Sequence, residues 1–554
     1  MVRKLRGSRV LAAVIVVLLL GAVYGLAGLR HSMSLSAGSA PRAPRLATVS
    51  SVQRVCPAPG ATTSPAGGIA VMTSPAAGGS GQAGAALTVT RLTGTGSAAA
   101  GPRVLSVTQP GVPRLAQVTV DRATARKIAQ ARTAQTKTTP TRATPAKTAS
   151  GTGGTKKGTT GTKKKTGTQQ TTTPAQQSSA LAATAVSGGV VIQASGALAQ
   201  GLEAEQTSAG SLPTAACTSP GTNFWFTGPG QRTAPRIQLY LMNAGSQVAD
   251  VSVDISTDAG PLQETTDTGI SVPPHGMIVQ SLASTLRNSR AISLHVRTSV
   301  GQVAAAVQES TAGGQGTWLP ATQTPAKHLV IPGLPGVAGT RELYIAVPGV
   351  KDATVQVAAV TSRGSYQPTG ATGIDLPGGS AAEITVPSLG GIPAALRLTA
   401  NTSITAAALI PGGGGALGAV TAAAPALEEQ GVVADNLTGP GRSSTLVLSA
   451  PGGAARVAVA EVASAGSASR QTQDVTVAAG KSVVVSLRAI RGAPRGTPFA
   501  VVITPQAGSG PVYAGRVIMS NGAGAALQAM LPVASALTTV PLPLVHQAAI
   551  TASP

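Results

Sequence analysis

The sequence predicts an all-β protein, in which an N-terminal transmembrane helix precedes a tandem array of immunoglobulin-like β-sandwich modules with one disordered insertion. Three observations support this prediction. Apolar landmarks recur at intervals of 103 and 104 residues in the second half of the chain. The 68 Gly and 40 Pro residues disfavour long helices and favour short strands joined by turns. Residues 133–173 contain 17 Thr, no acidic residue and no apolar residue except Ala.

The first predicted element is a run of twenty uncharged residues from Val10 to Leu29, long enough to cross a hydrocarbon core of about 30 Å. Basic residues precede this run, so the positive-inside rule places the N-terminus in the cytoplasm and residues 31–554 outside it. We interpret residues 1–30 as a cytoplasmic basic stub with a single-pass membrane anchor and residues 31–45 as a linker. The alternative is a signal peptide cleaved after Ala27, which would release a secreted protein.

The net charge of +23 comes mainly from two segments of the chain. Residues 1–45 hold seven Lys or Arg and no acid, and residues 121–170 hold twelve with one acid. The rest of the chain has 22 basic and 17 acidic residues, so it is close to neutral. The basicity therefore does not indicate a folded nucleic-acid-binding surface, and we expect no nucleic-acid partner.

Four copies of one repeat follow the anchor. Three of them share an apolar strand, a tight turn with Gly and a longer alternating strand, with matching leucines at Leu239, Leu343 and Leu446. The glycines that end VPPHG, LPGG and VAAG repeat with nearly the same period. A copy lies upstream as well, because residues 189–210 resemble residues 291–314. Repeats at a fixed period indicate a repeated structural unit.

Each repeat predicts a sandwich of short strands. The second copy has seven strand-like runs, and in VADVSVDIS the apolar Val251, Val253 and Ile255 alternate with polar residues, as in a half-buried strand. Seven such strands fit an immunoglobulin-like sandwich, and we favour a linear array over a propeller with blades of about 40–50 residues. The predicted modules are 46–217 (interrupted by the insertion 121–180), 236–314, 341–412 and 443–522, with a tail at 523–554.

The insertion at residues 121–180 lacks the apolar surface that would offset the entropy of ordering, so we predict disorder. Two interpretations stay open. The segment is a solvated spacer, or it is an electrostatic tether to anionic wall polymers, peptidoglycan or lipid head groups. In the second case the binding residues are five lysines: Lys156, Lys157, Lys163, Lys164 and Lys165.

An aromatic cluster stands out in a chain with only 2% aromatic residues. We predict that residues 218–235 form a junction between modules 1 and 2, and that Trp318 occupies the next junction. Aromatic side chains there would fill the contact between modules, while the alternative is a platform that stacks on glycan rings. The residues concerned are Phe224, Trp225, Phe226 and Trp318.

Cys56 and Cys217 are the only cysteines, and in an exported chain they predict a disulfide that ties this junction to the start of module 1. Free thiols or an intermolecular link are the alternatives.

The sequence does not predict an enzyme. The five histidines form no HExxH or HxH pattern, and no GxSxG turn, phosphate-binding loop or close carboxylate pair is present. Asp250 and Asp254 are too far apart along a strand to share a calcium ion. We therefore expect no catalytic residues, no cofactor and no metal.

The chain resembles a family of actinobacterial, membrane-anchored exported proteins of unknown function with repeated β-modules. The shared features are the N-terminal anchor, Cys56-Pro57, and the pattern of Cys217, Pro220, Trp225, Phe226 and Gly228. The resemblance implies topology and host class, and it implies no mechanism. Our functional prediction is a non-enzymatic, membrane-tethered scaffold or adhesion protein of the cell envelope that contacts an envelope protein. The alternatives are a cell-wall glycan-binding protein and an accessory subunit of an envelope enzyme.

Overall fold

The structure is a computed structural model. It describes residues 46–57, 68–74, 85–92, 103–106, 114–119, 188–207, 214–262, 269–313, 316–412, 416–436, 438–439, 441–463, 470–488, 490, 497–522 and 525–541. The predicted anchor, linker and insertion, and the end of the predicted tail, lie outside these residues. The chain forms two compact units, one of residues 1–47 with 539–554 and one of residues 48–538. Strands β1 (Leu46–Thr48) and β35 (Thr539–Pro541) form a two-stranded sheet.

The described residues are almost entirely β-structure, which confirms the all-β class. One short 3-10 turn, Gly196–Leu198, is the single helical element among them. Within the described ranges, no helix has the length and apolar character required to cross a membrane.

Strands β2–β34 build four successive sandwiches in the larger unit. Sandwich 1 contains β2 (Ser51–Cys56), β3 (Gly68–Thr73), β4 (Ala86–Arg91), β5 (Arg103–Ser106), β6 (Arg114–Thr119), β7 (Val190–Ser195), β8 (Glu203–Thr207) and β9 (Thr214–Ala216). Sandwich 2 contains β10 (Asn223–Pro229), β11 (Arg236–Met242), β12 (Ala249–Thr257), β13 (Gly260–Leu262), β14 (Ile270–Val272), β15 (Met277–Ser281), β16 (Ala291–Val300), β17 (Ala304–Ser310) and β18 (Gly316–Leu319).

Sandwich 3 contains β19 (Ala326–Leu334), β20 (Arg341–Ala346), β21 (Ala353–Thr361), β22 (Gly364–Tyr366), β23 (Ile374–Leu376), β24 (Ala381–Val386), β25 (Ala394–Pro411) and β26 (Gly418–Ala422). Sandwich 4 contains β27 (Gly431–Asn436), β28 (Arg442–Ala450), β29 (Ala455–Ala463), β30 (Arg470–Val477), β31 (Lys481–Ser486), β32 (Phe499–Pro505), β33 (Tyr513–Gly522) and β34 (Ala525–Val533). The seven strand-like runs predicted in module 2 correspond to β11–β17.

All four sandwiches repeat one order of eight strand positions. The front sheet joins positions 1, 6, 3 and 4, as in β27-β32-β29-β30, and the back sheet joins positions 5, 2, 7 and 8, as in β31-β28-β33-β34. In sandwich 2, β13 and β14 share position 4. In sandwich 3, β22 and β23 share position 4, and the long β25 supplies positions 6 and 7.

This order corrects the prediction of an immunoglobulin-like topology. In that fold the first strand lies beside the second, and seven strands divide into sheets of four and three. Here the first strand pairs with the sixth, and an eighth strand completes the back sheet. The prediction omitted positions 1 and 8 of module 2, because β10 and β18 fall in the segments that were assigned to junctions.

The sandwiches stack face to face, each front sheet on the next back sheet, and we call each such contact a seam. In seam 1/2, Val55 and Val191 pack against Tyr240 and Met242. In seam 2/3, the Thr227 and Thr405 hydroxyls are 2.6 Å apart, amid apolar side chains of both sandwiches.

Seam 3/4 is close-packed through glycine. The backbones of Gly333 and Gly515 touch, and a Cβ on either would overlap the other. Val447 and Val517 of sandwich 4 complete this seam by packing into the core of sandwich 3.

The fourth seam closes the array into a ring, which corrects the prediction of a linear array. Ala70 and Met72 on the back sheet of sandwich 1 pack against Val432 and Val502 on the front sheet of sandwich 4. The eighth strands β9, β18, β26 and β34 each contact the next, and β34 contacts β9, so they lie at the centre of the ring. Eight sheets, each with four strand positions, thus surround one axis, as propeller blades do, although here the chain alternates between the two sheets of each sandwich.

The seams explain why the second strand of each repeat is a mainly apolar run. On β11, Leu239 and Leu241 enter the core of sandwich 2, whereas Tyr240 and Met242 enter seam 1/2. A strand buried on both faces does not alternate between apolar and polar residues.

Candidate functional site

The aromatic stretch is a strand and not a junction. Residues Asn223–Pro229 form β10, which pairs with β16 over seven consecutive residues. Phe226 is buried in the core of sandwich 2 and Phe224 packs against that core, while Trp225 lies on the opposite face. The alternation in NFWFTG is the period of a strand, so this signal was present in the sequence.

Trp225 belongs to a polar row across the front sheet of sandwich 2. Its indole ring stacks on the imidazole of His295 on β16, with ring centroids 3.7 Å apart and an interplanar angle of 11°. The His295 Nδ1 atom lies 3.3 Å from Asp254 Oδ2, and its Nε2 atom lies 2.9 Å from Asn223 Oδ1. Arg297 reaches the same Asp254 oxygen at 2.9 Å. We name these five residues the Trp225 row.

Burial and the neighbouring Asp254 have opposite effects on the pKa of His295. Desolvation lowers the pKa of His295, and Asp254 opposes this effect by favouring the charged imidazolium. A neutral imidazole has one N–H, so it donates to Asp254 or to Asn223 but not to both as they are placed. The side chains of Asp254 and Arg297 are 51% and 54% exposed. The row is thus a half-buried aromatic pair flanked by exposed hydrogen-bonding groups.

The Trp225 row begins where the buried part of seam 2/3 ends. Two residues along β10, the Thr227 hydroxyl contacts Ser293 within the sheet and Thr405 across the seam. Behind Trp225, its carbonyl accepts a hydrogen bond of 2.8 Å from the Thr322 amide, which follows β18. These contacts fix the backbone of β10, so the position of the indole is set by the scaffold.

Trp318 has a different environment and is not available to a ligand. It lies on β18, is 6% exposed, and packs in seam 1/2 against Tyr240 with ring centroids 5.3 Å apart. The Tyr240 hydroxyl donates a hydrogen bond to the Gln308 side chain, which fixes the position of the tyrosine ring. Of the two tryptophans predicted to stack on glycan, the structure leaves only Trp225 partly accessible.

The predicted disulfide between Cys56 and Cys217 is confirmed. It joins the end of β2 to the residue after β9, and both cysteines are buried in the core of sandwich 1. Backbone hydrogen bonds between Val55 and Thr218 lie beside it. The bond therefore links the first strand of the sandwich to the residue that follows its eighth strand.

A buried charge cluster that no sequence pattern predicted lies in seam 4/1. The carboxylate of Glu205 on β8 accepts hydrogen bonds from the Arg516 guanidinium and from the Asp435 amide, and Arg516 also donates to the Asp435 carbonyl. All three residues are almost completely buried. Burial, followed by the negative charge of Glu205, raises the pKa of Asp435 to about 7, against the opposing effect of Arg516.

A second buried acid was also not identified. Glu309 on β17 is fully buried, and neither carboxylate oxygen has a hydrogen-bond partner among the described residues. Desolvation raises its pKa well above the usual range, which favours the uncharged, protonated form of the carboxyl. No sequence motif marks either the charge cluster or this acid.

Comparison with known proteins identifies the family. A family model described as a family of unknown function, DUF5719, matches residues 170–488, which is more than half of the chain. The chain belongs to the DUF5719 family. The searches of curated proteins and of solved structures found no match. The matched range of this DUF5719 protein begins before β7 and ends after β31, so it includes the Trp225 row.

No metal site is found in the described part of this DUF5719 protein, where no group of three or more His, Cys, Asp or Glu side chains is close enough to hold an ion. The five lysines of the predicted tether, at positions 156–165, lie outside the described residues. The Trp225 row, with a partly exposed indole and polar side chains beside it, is the candidate site.

Proposed function

We propose that the protein is a non-enzymatic scaffold or adhesion protein of the cell envelope, tethered to the membrane through residues 10–29 and located outside the cytoplasm. The closed ring with its buried Cys56–Cys217 disulfide is the observation that most supports this proposal. Disulfides persist in oxidising compartments outside the cytoplasm. A ring whose sheets are covered on both faces holds its exposed turns and edges at fixed positions, which suits the presentation of contact surfaces to partners.

Co-sedimentation with purified cell-wall sacculi tests this proposal. The full chain and a variant lacking residues 121–180 are compared across a salt series. The scaffold hypothesis expects wall binding to disappear both with salt and with the deletion, because contact with anionic polymers then depends on the lysine-rich segment. Binding that persists at high salt in the deletion variant would show that the ring itself recognises wall glycan, and it would replace the scaffold hypothesis with the second proposal.

We propose glycan binding at the Trp225 row as the second function. Sugar rings stack on flat aromatic faces, and planar polar side chains beside the ring bind their hydroxyl groups. Trp225 provides the half-buried aromatic group, and Asn223, Asp254 and Arg297 provide the neighbouring polar groups. The positive charge of Arg297 also favours a glycan that carries carboxylates.

The test uses the fluorescence of a protein with one remaining tryptophan. In a Trp318→Phe background, Trp225 is the only indole, and titration with soluble peptidoglycan fragments should change its emission saturably. Asp254→Asn should weaken the response, whereas Asp375→Asn on the exposed β23 of sandwich 3 should leave it unchanged. An emission spectrum that does not respond to the fragments would contradict glycan binding at this site.

A further inference from the structure

Strand β30 differs from every other described strand at the outer edge of the ring. The front sheets of sandwiches 1, 2 and 3 end in strands of three or four residues, whereas β30 has eight. It pairs with β29 from Arg470 to Val477 without a register shift. Six of its residues are exposed, and the exposed positions include both faces of the strand. Within the described ranges, no strand pairs with its outer edge.

The hydrogen-bonding direction of β30 follows from its neighbours. The Arg456 carbonyl accepts a hydrogen bond from the Gln506 amide, so the main-chain groups of Arg456 point toward β32. Main-chain direction alternates along a strand, so the groups of Val457 point toward β30 and bond with Val475. The N–H and C=O groups of the even-numbered residues 470, 472, 474 and 476 therefore point outward from the sheet.

This edge lacks three of the protective features common in native sheets. Such edges are usually short, interrupted by Pro or a bulge, or guarded by Lys side chains. The sequence RQTQDVTV has no Pro and no Lys, and β29 and β30 pair without a bulge. A long regular edge of this kind binds another strand by continuing the sheet.

We infer that β30 binds β30 of a second copy of this chain, in antiparallel orientation, with Arg470 opposite Asp474 of the second copy. The charges support this partner. In an antiparallel pair centred on Thr472, each Arg470 lies opposite an Asp474, and both residues direct their main-chain groups toward the partner strand. Two ion pairs and a Thr472–Thr472 contact then form around a two-fold axis. A pairing centred on Asp474 would place like charges opposite each other.

Covalent cross-linking of the full chain tests this interface. Both native cysteines are in a disulfide, so Thr472→Cys adds the only thiol. Across the two-fold axis the two Cα atoms would be about 5.5 Å apart, which is within the range of a disulfide. We expect mild oxidation to give a covalent dimer on a non-reducing gel. Tyr366→Cys, on the exposed edge strand β22 of sandwich 3, is the matched control and should remain monomeric.

Charge reversal separates the specific register from random collision. Adding Asp474→Arg to Thr472→Cys places two Arg residues opposite each other and should lower the dimer yield about fivefold, because two exposed ion pairs are lost. Adding Arg470→Asp as well should restore the yield. A Thr472→Cys yield no higher than that of Tyr366→Cys overturns the inference. So does a yield that is insensitive to the single reversal or that is not restored by the double reversal.

Discussion

Asp435→Asn should reduce the pH dependence of the free energy of unfolding. In seam 4/1 the Glu205 carboxylate pairs with the Arg516 guanidinium, and the buried carboxyl group of Asp435 lies within the electrostatic influence of both charges. With Asp435 protonated these three groups are neutral overall, and with Asp435 ionised they carry one buried negative charge. The asparagine side chain has nearly the same shape as the protonated acid and cannot ionise.

The direction in which stability changes with pH follows from the direction of the pKa change. The pKa of Asp435 is raised from its ordinary value of 3.8 to about 7, so its contribution to stability is complete below pH 3.8 and is lost as the pH rises through about 7. The change corresponds to at most about 4 kcal/mol, because one pH unit is worth about 1.4 kcal/mol. Glu205 and Arg516 take part in the same proton balance, so we expect about 2 kcal/mol between pH 5 and pH 8.

The measurement is urea unfolding of the native protein and of Asp435→Asn at pH 5, 6.5 and 8. From pH 5 to pH 8 the native protein should lose about 2 kcal/mol of stability relative to the variant. Asp375→Asn, an exposed acid in sandwich 3, is the control and should follow the native protein throughout. Equal pH slopes for Asp435→Asn and the native protein would refute the argument that this carboxyl carries the pH dependence.

Three further predictions concern buried groups. Glu309→Met should raise stability at pH 8 by about 1–3 kcal/mol in urea unfolding. The raised pKa of this acid means that its contribution to stability falls as pH rises above 4.5, and methionine has no charge to bury. A less stable variant would indicate an essential role for the carboxyl. Replacing Cys56 and Cys217 by Ala should cost about 5 kcal/mol, since their bond closes a loop with a sequence separation of 161, and dithiothreitol should mimic the effect only in the native protein. Trp318→Ala should lower stability by about 3–5 kcal/mol and Trp225→Ala by much less, and equal losses would contradict the different burial of the two indoles.

The repeated core of the fold could be predicted from the sequence, because local patterns define it. The landmarks Leu239, Leu343 and Leu446 fall on β11, β20 and β28, which occupy the same position in three sandwiches. Phe224 and Phe226 could also have been assigned to a core from their alternation with Trp225. The prediction of a junction at residues 218–235 followed the boundary between repeats and did not use this period of two.

Ring closure could not be predicted, because it depends on residues far apart in sequence that have no repeated counterpart. Glu205 and Arg516 are separated by 311 residues, and neither lies in a recognisable motif. The Trp225 row could not be predicted for the same reason. Trp225, His295 and Asp254 lie on three strands, β10, β16 and β12, and come together only when the sheet forms. One indirect signal existed: the run IQLYLM has no polar face, which indicates a strand covered on both sides.

The closed ring brings the two ends of its own chain together. The amide of Val49, just before β2, donates to the carbonyl of Thr538, just after β34, at 3.0 Å. A short peptide could therefore join these ends, and the chain could be reopened at an exposed turn such as Gly452 between β28 and β29. Such a circular permutant would keep every seam and every sheet of the four sandwiches. The order in which the sandwiches are synthesised is thus separable from their arrangement, and any of the four could come first from the ribosome.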